Sequence, residues 1–254
     1  MKNIKAFIYS VLCNAFTGYL ISTIFKRSVP DIRWKKYLFA LDQKIVTKKT
    51  IAAIFFGFYE SAEIRFIEKY LNGNLNVIEL GSSIGIVSSH IARKLKSGTK
   101  FIMVEANPVL PEIIRANIDR HISKDVSYRI LNYAISYGTE NVFLQVAHDN
   151  TDTRVSKNPL NTNSGIMVRS KTLTSILKEF DINEYAIVCD IEGSEVEWLT
   201  NEDISLKNCK QLLVELHNTD YGIHFTIDDI KDLITKKHNF KLVDNRGPVY
   251  YFNK

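Results

Sequence analysis

A glycine-bracketed turn stands between a short apolar run and a helical pattern in the stretch VIELGSSIGIVSSHIARKL. Gly81 and Gly85 let the backbone turn tightly and come close to a ligand, and the start of the next helix presents free N–H groups. Glu79 adds a carboxylate just before the turn. Because an acid repels pyrophosphate but attracts an amino group, the loop, with Ser82 and Ser83, is predicted to hold the amino-acid end of an adenosine-bearing cofactor.

The alternative cofactor is NAD. A dinucleotide-binding loop usually has the pattern G-x-G-x-x-G, with the pyrophosphate on the helix N-terminus. The middle glycine of that pattern is absent here. By charge, S-adenosylmethionine fits the loop better than NAD.

Polar residues also follow the next two predicted strands. Glu105 lies some twenty residues beyond the glycine loop, followed by Ala106 and Asn107. A carboxylate at this position can accept hydrogen bonds from both ribose hydroxyls, in NAD and in S-adenosylmethionine alike. Asn132 and Ala134 follow the third strand, where an amide and a small side chain could meet an adenine edge. These positions could also be ordinary turn residues of an α/β fold.

Asp190, Glu215 and His217 lie at the ends of the fourth and fifth predicted strands. Because the carboxyl ends of parallel strands meet at one edge of a sheet, these three side chains are expected to converge on one cleft. In the alternative interpretation, Asp190 and Glu192 cap the following helix and His217 is a satisfied turn residue.

The elements that must position these residues alternate along the chain. Near-continuous apolar strands separated by helices are typical of a doubly wound parallel sheet, because both faces of such a sheet are covered. The predicted strands are 76–80, 100–106, 127–132, 185–190 and 210–216, with helical patterns at 85–96 and 111–121.

Two regions depart from this alternation. Residues 141–147 and 165–171 look like strands without a helix between them, and they predict an added hairpin with a polar loop at 148–164. That loop is rich in hydroxyls and amides, and it could contact an acceptor or be merely solvated. FKLVDN and PVYYFN flank Arg246 and Gly247, which predicts a terminal hairpin and a final antiparallel strand.

The N-terminal part is predicted to be a helical extension, residues 1–50, before a main domain at 51–254. Residues 7–25 carry no charge, and apolar residues at helical spacing between residues 4 and 25 predict one amphipathic helix. This helix could pack on the domain or a partner, make peripheral membrane contact, or span a membrane. A polar, basic connector is expected at 31–49 and one helix at 55–71.

Composition sets broad limits. The 254 residues are enough for one generous α/β domain, and 45% apolar with 24% charged residues is ordinary globular usage. The net charge of +5 is modest and does not argue for a nucleic-acid partner. Three cysteines without a CxxC pair or His/Cys cluster predict a reducing, cytoplasmic setting and no structural zinc.

From about Phe56 onward the sequence resembles the FkbM-type methyltransferase family. The motifs that support this are FGFYESAEIRFI, VIELGSSIG, VEANP, NYAIS, NSG, SKTLTSIL, VCDIEGSEVEWL and LLVELH, and DIEGSE is the most specific of them. Ser82, Ser83 and Cys189 depart from the usual residues without removing a cofactor group. The resemblance implies a Rossmann-like class I methyltransferase fold, a mostly parallel seven-stranded sheet with an antiparallel last strand.

The resemblance further implies methyl transfer from S-adenosylmethionine to a hydroxyl of a saccharide, glycan or other small metabolite. Glu60 is implied as a contributor to the cofactor pocket floor. For the reaction we expect Asp190 or His217 to accept the hydroxyl proton and Glu215 to orient the base or the acceptor. Asp190 is also expected beside the cofactor.

Alternative functions and a metal stay open. A divalent metal such as Mg²⁺ is chemically compatible with these strand ends, but the spacing does not require one. An NAD-dependent oxidoreductase or a noncatalytic cofactor-binding protein are the alternative functions. The acceptor and the oligomeric state are not encoded in any motif of the sequence.

Overall fold

The computed structural model describes residues 2–35, 37–146, 153–156 and 165–254, and these contain nine α-helices and fifteen strands. The helices are α1 (Lys2–Leu12), α2 (Ala15–Ile24), α3 (Lys48–Phe55), α4 (Ser61–Tyr70), α5 (Ile86–Lys94), α6 (Pro111–Ile118), α7 (Leu173–Glu179), α8 (Glu195–Asn201) and α9 (Ile227–Asp232). The strands are β1 (Ser28–Pro30), β2 (Leu38–Ala40), β3 (Asn76–Leu80), β4 (Lys100–Val104), β5 (Ser127–Leu131), β6 (Ala134–Ile135), β7 (Asn141–Val146), β8 (Thr153–Ser156), β9 (Ile166–Lys171), β10 (Tyr185–Cys189), β11 (Cys209–Glu215), β12 (Thr219–Tyr221), β13 (Ile223–Phe225), β14 (Lys241–Arg246) and β15 (Val249–Asn253).

A seven-stranded sheet forms the centre of the protein, in the order β14-β15-β11-β10-β3-β4-β5. Strands β11, β10, β3, β4 and β5 pair in parallel, whereas β15 is antiparallel to both of its neighbours. The predicted Rossmann-like methyltransferase fold, with its antiparallel last strand, is confirmed. The order reverses between β3 and β10, which is where an open α/β sheet binds its ligand.

The sheet is covered on both faces because alternate residues of each strand point to opposite sides. Val77 and Phe101 pack with α3 to α6 on one face. Ile78 and Ile102 pack with α7, α8 and α9 on the other face. Both layers are therefore apolar, as the continuous hydrophobic strands predict.

A second sheet, of four strands in the order β6-β9-β7-β8, lies between β5 and α7 in the chain. Strands β7 and β9 are antiparallel, so the predicted hairpin is confirmed. Strand β8 falls within the stretch expected to be a loop, and it pairs with β7. The rest of that stretch, 148–152 and 157–164, lies outside the described residues.

The expectation of one N-terminal helix is wrong. Asn14 accepts a hydrogen bond from the Thr17 N–H and starts α2, which is bent by 50° from α1. No single helix among the described residues is long and apolar enough to cross a bilayer, although the bent pair passes the same test of length and composition when taken together. Helix α2 packs on α3, and a Cβ on Gly18 would lie 1.6 Å from the Lys48 carbonyl oxygen.

Two other local expectations are also wrong. The region expected to be a connector, 31–49, contains β2, which pairs antiparallel with β1 just before it and whose Phe39 is buried in the core. The helix expected at 55–71 begins only at Ser61, because Gly57 and Glu60 take positive φ values of 66° and 44° and interrupt the chain between the end of α3 and the start of α4. The apolar spacing of this stretch did not reveal the interruption.

We expect Gly18→Ala to destabilise the protein by about 1–3 kcal/mol, because the added methyl group would collide with backbone and push α2 away from α3. Urea unfolding monitored by circular dichroism measures the change. Thr23→Ala, at an exposed position of the same helix, is the control and should change stability by less than about 0.5 kcal/mol. Equal stability of both variants would show that α2 is not tightly docked.

Candidate active site

The main cleft of the protein opens at the carboxyl ends of β3, β4, β5 and β10, at the point where the strand order reverses. Its volume is about 660 Å³, which includes space that is open to solvent. Its lining combines glycine-loop residues, strand-end acids and apolar residues of the second sheet, namely Glu60, Gly81, Ser83, Val104, Glu105, Ala106, Leu110, Tyr133, Ala134, Ile135, Leu144, Val155, Asp190, Ile191, Glu192 and Ser194.

Gly81 joins the two central strands at the cleft. Its φ is +85°, and a Cβ there would lie 1.8 Å from the Asp190 carbonyl oxygen. Its N–H donates to the Val104 carbonyl at 2.9 Å. Only glycine fits this crossing, and it brings the turn after β3 against the end of β10.

Glu105 occupies the wall of the cleft beyond β4. One carboxylate oxygen accepts the Ser83 N–H at 2.8 Å and the other accepts the Asn107 N–H at 2.7 Å. Each oxygen keeps a further acceptor position, which two vicinal hydroxyls of a ribose could fill. Burial raises the pKa of Glu105 to about 7, although these backbone N–H groups act in the opposite direction.

Glu79 lies behind the glycine loop rather than in the main cleft. Its side chain is buried, and one oxygen accepts the Ser88 hydroxyl at 2.5 Å while Oε1 has no hydrogen-bond partner. Burial raises the pKa of Glu79 to about 8. It lines a smaller cavity of about 320 Å³ that shares Glu60, Gly81 and Asp190 with the main cleft.

Further carboxylates crowd this smaller cavity. Burial and the neighbouring Glu63 and Asp190 carboxylates raise the pKa of Glu60. Burial also raises the pKa of Glu63, and burial together with Glu63 raises the pKa of Glu215 to about 8. Burial, together with Glu215 and Glu192, raises the pKa of Asp190, and its Oδ1 has no hydrogen-bond partner.

His217 is the basic side chain beside this cluster. Its Nδ1 lies 2.7 Å from the fully buried Glu195 carboxylate, and its Nε2 lies 3.6 Å from Glu192 and 3.7 Å from Glu215. The hydrogen bond with Glu195, aided by Glu192 and Asp190, raises the pKa of His217. The imidazole is therefore held as a cation against the carboxylates.

One group of residues here could hold a metal ion. Asp190, Glu192 and His217 each offer one ligand atom, and these atoms lie within 4.8 Å of one another. Carboxylate oxygens with an imidazole nitrogen suit several divalent cations. The sequence spacing alone did not single out Glu192 for this group.

The predicted site residues fall into two sets. Seven of them line the main cleft, namely Glu60, Gly81, Ser83, Glu105, Ala106, Ala134 and Asp190. The others support the cleft from behind or beside it, namely Glu79, Ser82, Gly85, Asn107, Asn132, Glu215 and His217. Asn132, for example, donates from Nδ2 to the backbone carbonyls of Glu105 and Ala106, and Gly85 begins α5 with a φ of 80°.

Sequence reasoning missed several site residues. Glu195 was not recognised as the partner of His217, and Glu192 was considered only as a helix cap, although both belong to DIEGSE. Helix α8 has no side-chain cap hydrogen bond at Ser194, and Glu195 accepts the Gly193 N–H at 3.3 Å. Leu144 and Val155 reach the cleft from the second sheet, and no local signal in the sequence links them to it.

Backbone strain is concentrated in the cleft lining. Glu60, Ser83 and Glu192 have φ values of 44°, 47° and 49°, although each has a side chain that disfavours this region. All three line the cleft. Such conformations persist where the surrounding structure imposes them, and they cluster at functional sites.

Comparison with known proteins gives one family match. The family model described as the methyltransferase FkbM domain matches residues 79–242. No curated protein matches this chain.

Several solved structures are similar at low identity. A protein of the NADB-Rossmann superfamily from Streptococcus agalactiae is 12% identical, with a TM-score of 0.42, and the match covers 75% of this chain and 65% of that chain, less than two thirds of its length. A precorrin-6y C5,15-methyltransferase from Geobacter metallireducens is 14% identical, with a TM-score of 0.41 and coverage of 84% and 92%. An O-methyltransferase from Bacillus cereus in complex with SAH is 13% identical, with a TM-score of 0.42 and coverage of 76% and 78%. Likeness at this level assigns no activity.

We expect the affinity for S-adenosylmethionine to fall about tenfold from pH 8 to pH 6, because Glu105 with a pKa near 7 gains a proton and loses an acceptor position. Glu105→Gln should weaken binding by about 10- to 100-fold at pH 8 and abolish this part of the pH dependence. Isothermal titration calorimetry measures both effects.

The amino group of S-adenosylmethionine also titrates, and it does so with the unmodified protein and with Glu105→Gln alike. The difference between the two pH profiles of binding therefore reports on Glu105. Glu112→Gln, at an exposed position of α6, is the matched control and should behave like the unmodified protein. The same pH profile in Glu105→Gln and in the unmodified protein would contradict the assignment.

Proposed function

Because this chain belongs to the FkbM methyltransferase family, we propose that it transfers a methyl group from S-adenosylmethionine to a hydroxyl oxygen of a small, glycan-like acceptor. S-adenosylmethionine is the cofactor that the family implies, and a small-molecule acceptor is typical of it. The transfer to oxygen and the glycan-like class of acceptor are the parts that we propose.

The residues of the cleft fit this cofactor, and the position of Glu105 opposite the glycine loop is the observation that supports the proposal most. Ser83 N–H donates to Glu105, so the loop and the ribose-binding carboxylate are held together. Gly81 lines the cleft and packs directly against the Asp190 backbone. Asp190 and Glu60 supply negative charge where a cationic amino acid and sulfonium would lie.

The same charges disfavour a dinucleotide enzyme. A pyrophosphate would meet Glu60, Glu105, Asp190 and Glu192 in the main cleft. In the described part of the chain none of these carboxylates forms an ion pair with a lysine or arginine that could offset the repulsion. Tight binding of NADH, seen by its fluorescence, would support that alternative.

S-adenosylmethionine, when bound, would supply an electrophilic methyl group, with the neutral thioether as the leaving group of a single displacement. The acceptor oxygen forms the new carbon–oxygen bond, so its proton must leave. Asp190 accepts this proton and later releases it to solvent. Alignment of the acceptor oxygen with the methyl group by the cleft walls contributes the rest of the acceleration.

We assign proton removal to Asp190 rather than to His217 on geometry. Asp190 lines the main cleft, whereas His217 is not part of the lining and is bound to Glu195. The raised pKa values agree, since a protonated imidazole is a poor base and a carboxyl with a raised pKa is a better one. His217 and Glu215 then act as positioning residues.

The acceptor class is tested by screening the purified full chain with S-adenosylmethionine and a panel of free and nucleotide-linked saccharides. We expect S-adenosylhomocysteine to form and one saccharide to gain a single methyl ether by mass spectrometry. Methylation of an amine or carboxylate instead would overturn the transfer to oxygen. Donor binding without turnover on any acceptor would support a noncatalytic cofactor-binding protein.

We expect Asp190→Asn to lower kcat by about 100-fold or more, because removal of a general base costs this much. The affinity for S-adenosylhomocysteine should change by less than about threefold, since this ligand has no sulfonium charge for Asp190 to balance and the amide keeps the shape of the side chain and one acceptor oxygen. Steady-state kinetics and calorimetry measure the two effects. Asp228→Asn, at a side chain that is 87% exposed, is the control.

We expect His217→Ala to lower kcat by about tenfold, less than Asp190→Asn, because it removes a charge that positions the base and not the base itself. The KM for S-adenosylmethionine should remain nearly constant. Unchanged kcat in both variants would remove the catalytic assignment.

We expect turnover to persist in the presence of a chelator, because Asp190 removes the proton without help from a Lewis acid. The measurement is S-adenosylhomocysteine formation before and after addition of EDTA and then of Mg²⁺. Loss of activity that Mg²⁺ restores would instead assign Asp190, Glu192 and His217 to a bound cation.

A further inference from the structure

Helices α1 and α2 expose seven large apolar side chains to solvent, which we call the outer face. Its most exposed members are Phe7, Phe16 and Ile24, at 68%, 72% and 73% exposure. The complete outer face comprises Phe7, Ile8, Val11, Phe16, Tyr19, Leu20 and Ile24. Single exposed apolar residues are ordinary, but seven on two successive helices indicate an interaction surface.

The opposite side of α2 is already used for packing. Gly18, Ile21 and Ser22 are buried. Gly18 meets the backbone of Lys48 in α3, and the Lys48 side chain donates to the Ser22 hydroxyl at 2.9 Å. Helix α2 is therefore apolar on both sides, and only one side is needed to hold it to the protein.

Basic side chains predominate around the outer face, although Asp42, next to Gln43 whose amide donates to the Lys26 carbonyl, is exposed as well. No Asp or Glu occurs in the first thirty residues, which carry Lys2, Lys5, Lys26 and Arg27 and so contribute four of the five net positive charges of the chain. Lys26 and Arg27, at the end of α2, are exposed. Lys44 and Lys49, near the start of α3, are exposed as well.

We propose that the outer face docks the protein on the surface of an anionic lipid bilayer, with α1 and α2 lying in the plane of the interface. Aromatic and aliphatic side chains flanked by lysine and arginine are what such a surface recognises, since the apolar residues enter the acyl boundary and the cations meet the headgroups. A protein partner would more often find mixed charges and a polar rim around the face.

Docking in the interface plane agrees better with the packing than insertion across the bilayer. Helix α1 has 11 residues and α2 has 10, so each is too short for a span by itself, and the bend of 50° separates the two. To span, α2 would also have to leave α3 and give up the contacts of Gly18 and Ile21. The proposal does not depend on the reaction catalysed, so it can fail or succeed independently of the methyl transfer.

Vesicle flotation with the purified full chain tests the proposal. We expect binding to phosphatidylcholine vesicles that contain phosphatidylglycerol to be at least about tenfold stronger than binding to pure phosphatidylcholine, and to weaken as salt rises. The double variant Phe16→Ser/Ile24→Ser should lose about tenfold or more of the binding, because it removes two side chains from the acyl boundary.

The matched control is Ile204→Ser, which removes an apolar side chain that is 81% exposed but lies outside the outer face. It should bind vesicles like the unmodified chain. Lys26→Gln/Arg27→Gln leaves the apolar residues intact and should reduce only the preference for anionic lipid. Because all of these side chains are exposed, the far-ultraviolet circular dichroism and the melting temperature should be retained.

Three results would overturn the proposal. They are absence of binding to either vesicle, equal loss of binding in the Ile204→Ser control, and a dimer in lipid-free solution that the Phe16→Ser/Ile24→Ser variant converts to a monomer. The last result would assign the outer face to a second copy of the chain. Should the double variant fail to fold, the salt dependence and the Lys26→Gln/Arg27→Gln variant still decide between lipid and protein.

Discussion

The crowding of carboxylates at one end of the central sheet is the constraint on which the rest of the site depends. Glu79, Glu105 and Asp190 are removed from water to different degrees, and burial raises the pKa of each. A buried carboxylate without a paired cation is costly, so each one either takes up a proton or waits for a positively charged ligand. These acids therefore favour a positively charged ligand over an anionic one.

His217 relieves part of this cost within the protein itself. Its Nδ1 contacts the fully buried Glu195, and its Nε2 lies 3.6 Å from Glu192 and 3.7 Å from Glu215. A positive charge on the imidazole therefore lies close to three carboxylates. Low dielectric surroundings make such contacts stronger than they would be in water. The imidazole thus lowers the pKa of Asp190 and offsets part of the effect of burial.

The sequence was sufficient to predict the central sheet because its strands are long apolar runs that end in polar residues, a pattern that only a sheet covered on both faces produces. Glycine spacing and the acids after the strands were also sufficient to locate the cleft. The prediction failed where contacts between residues that are distant in the sequence determine the local structure. The bend at Asn14, the β1–β2 pair and the interruption at Gly57 have no periodic signature, and Glu195 meets His217 only after α8 and β11 have packed.

The crossing of Gly81 over the Asp190 carbonyl has a consequence for how this architecture can diversify. The glycine turn and the strand end that carries Asp190 share a single backbone junction, so neither can shift without the other. The opposite wall, built by Leu144 and Val155, belongs to the second sheet. Remodelling of that wall would therefore change the shape of the cleft while the distance between the glycine turn and Asp190 stays the same.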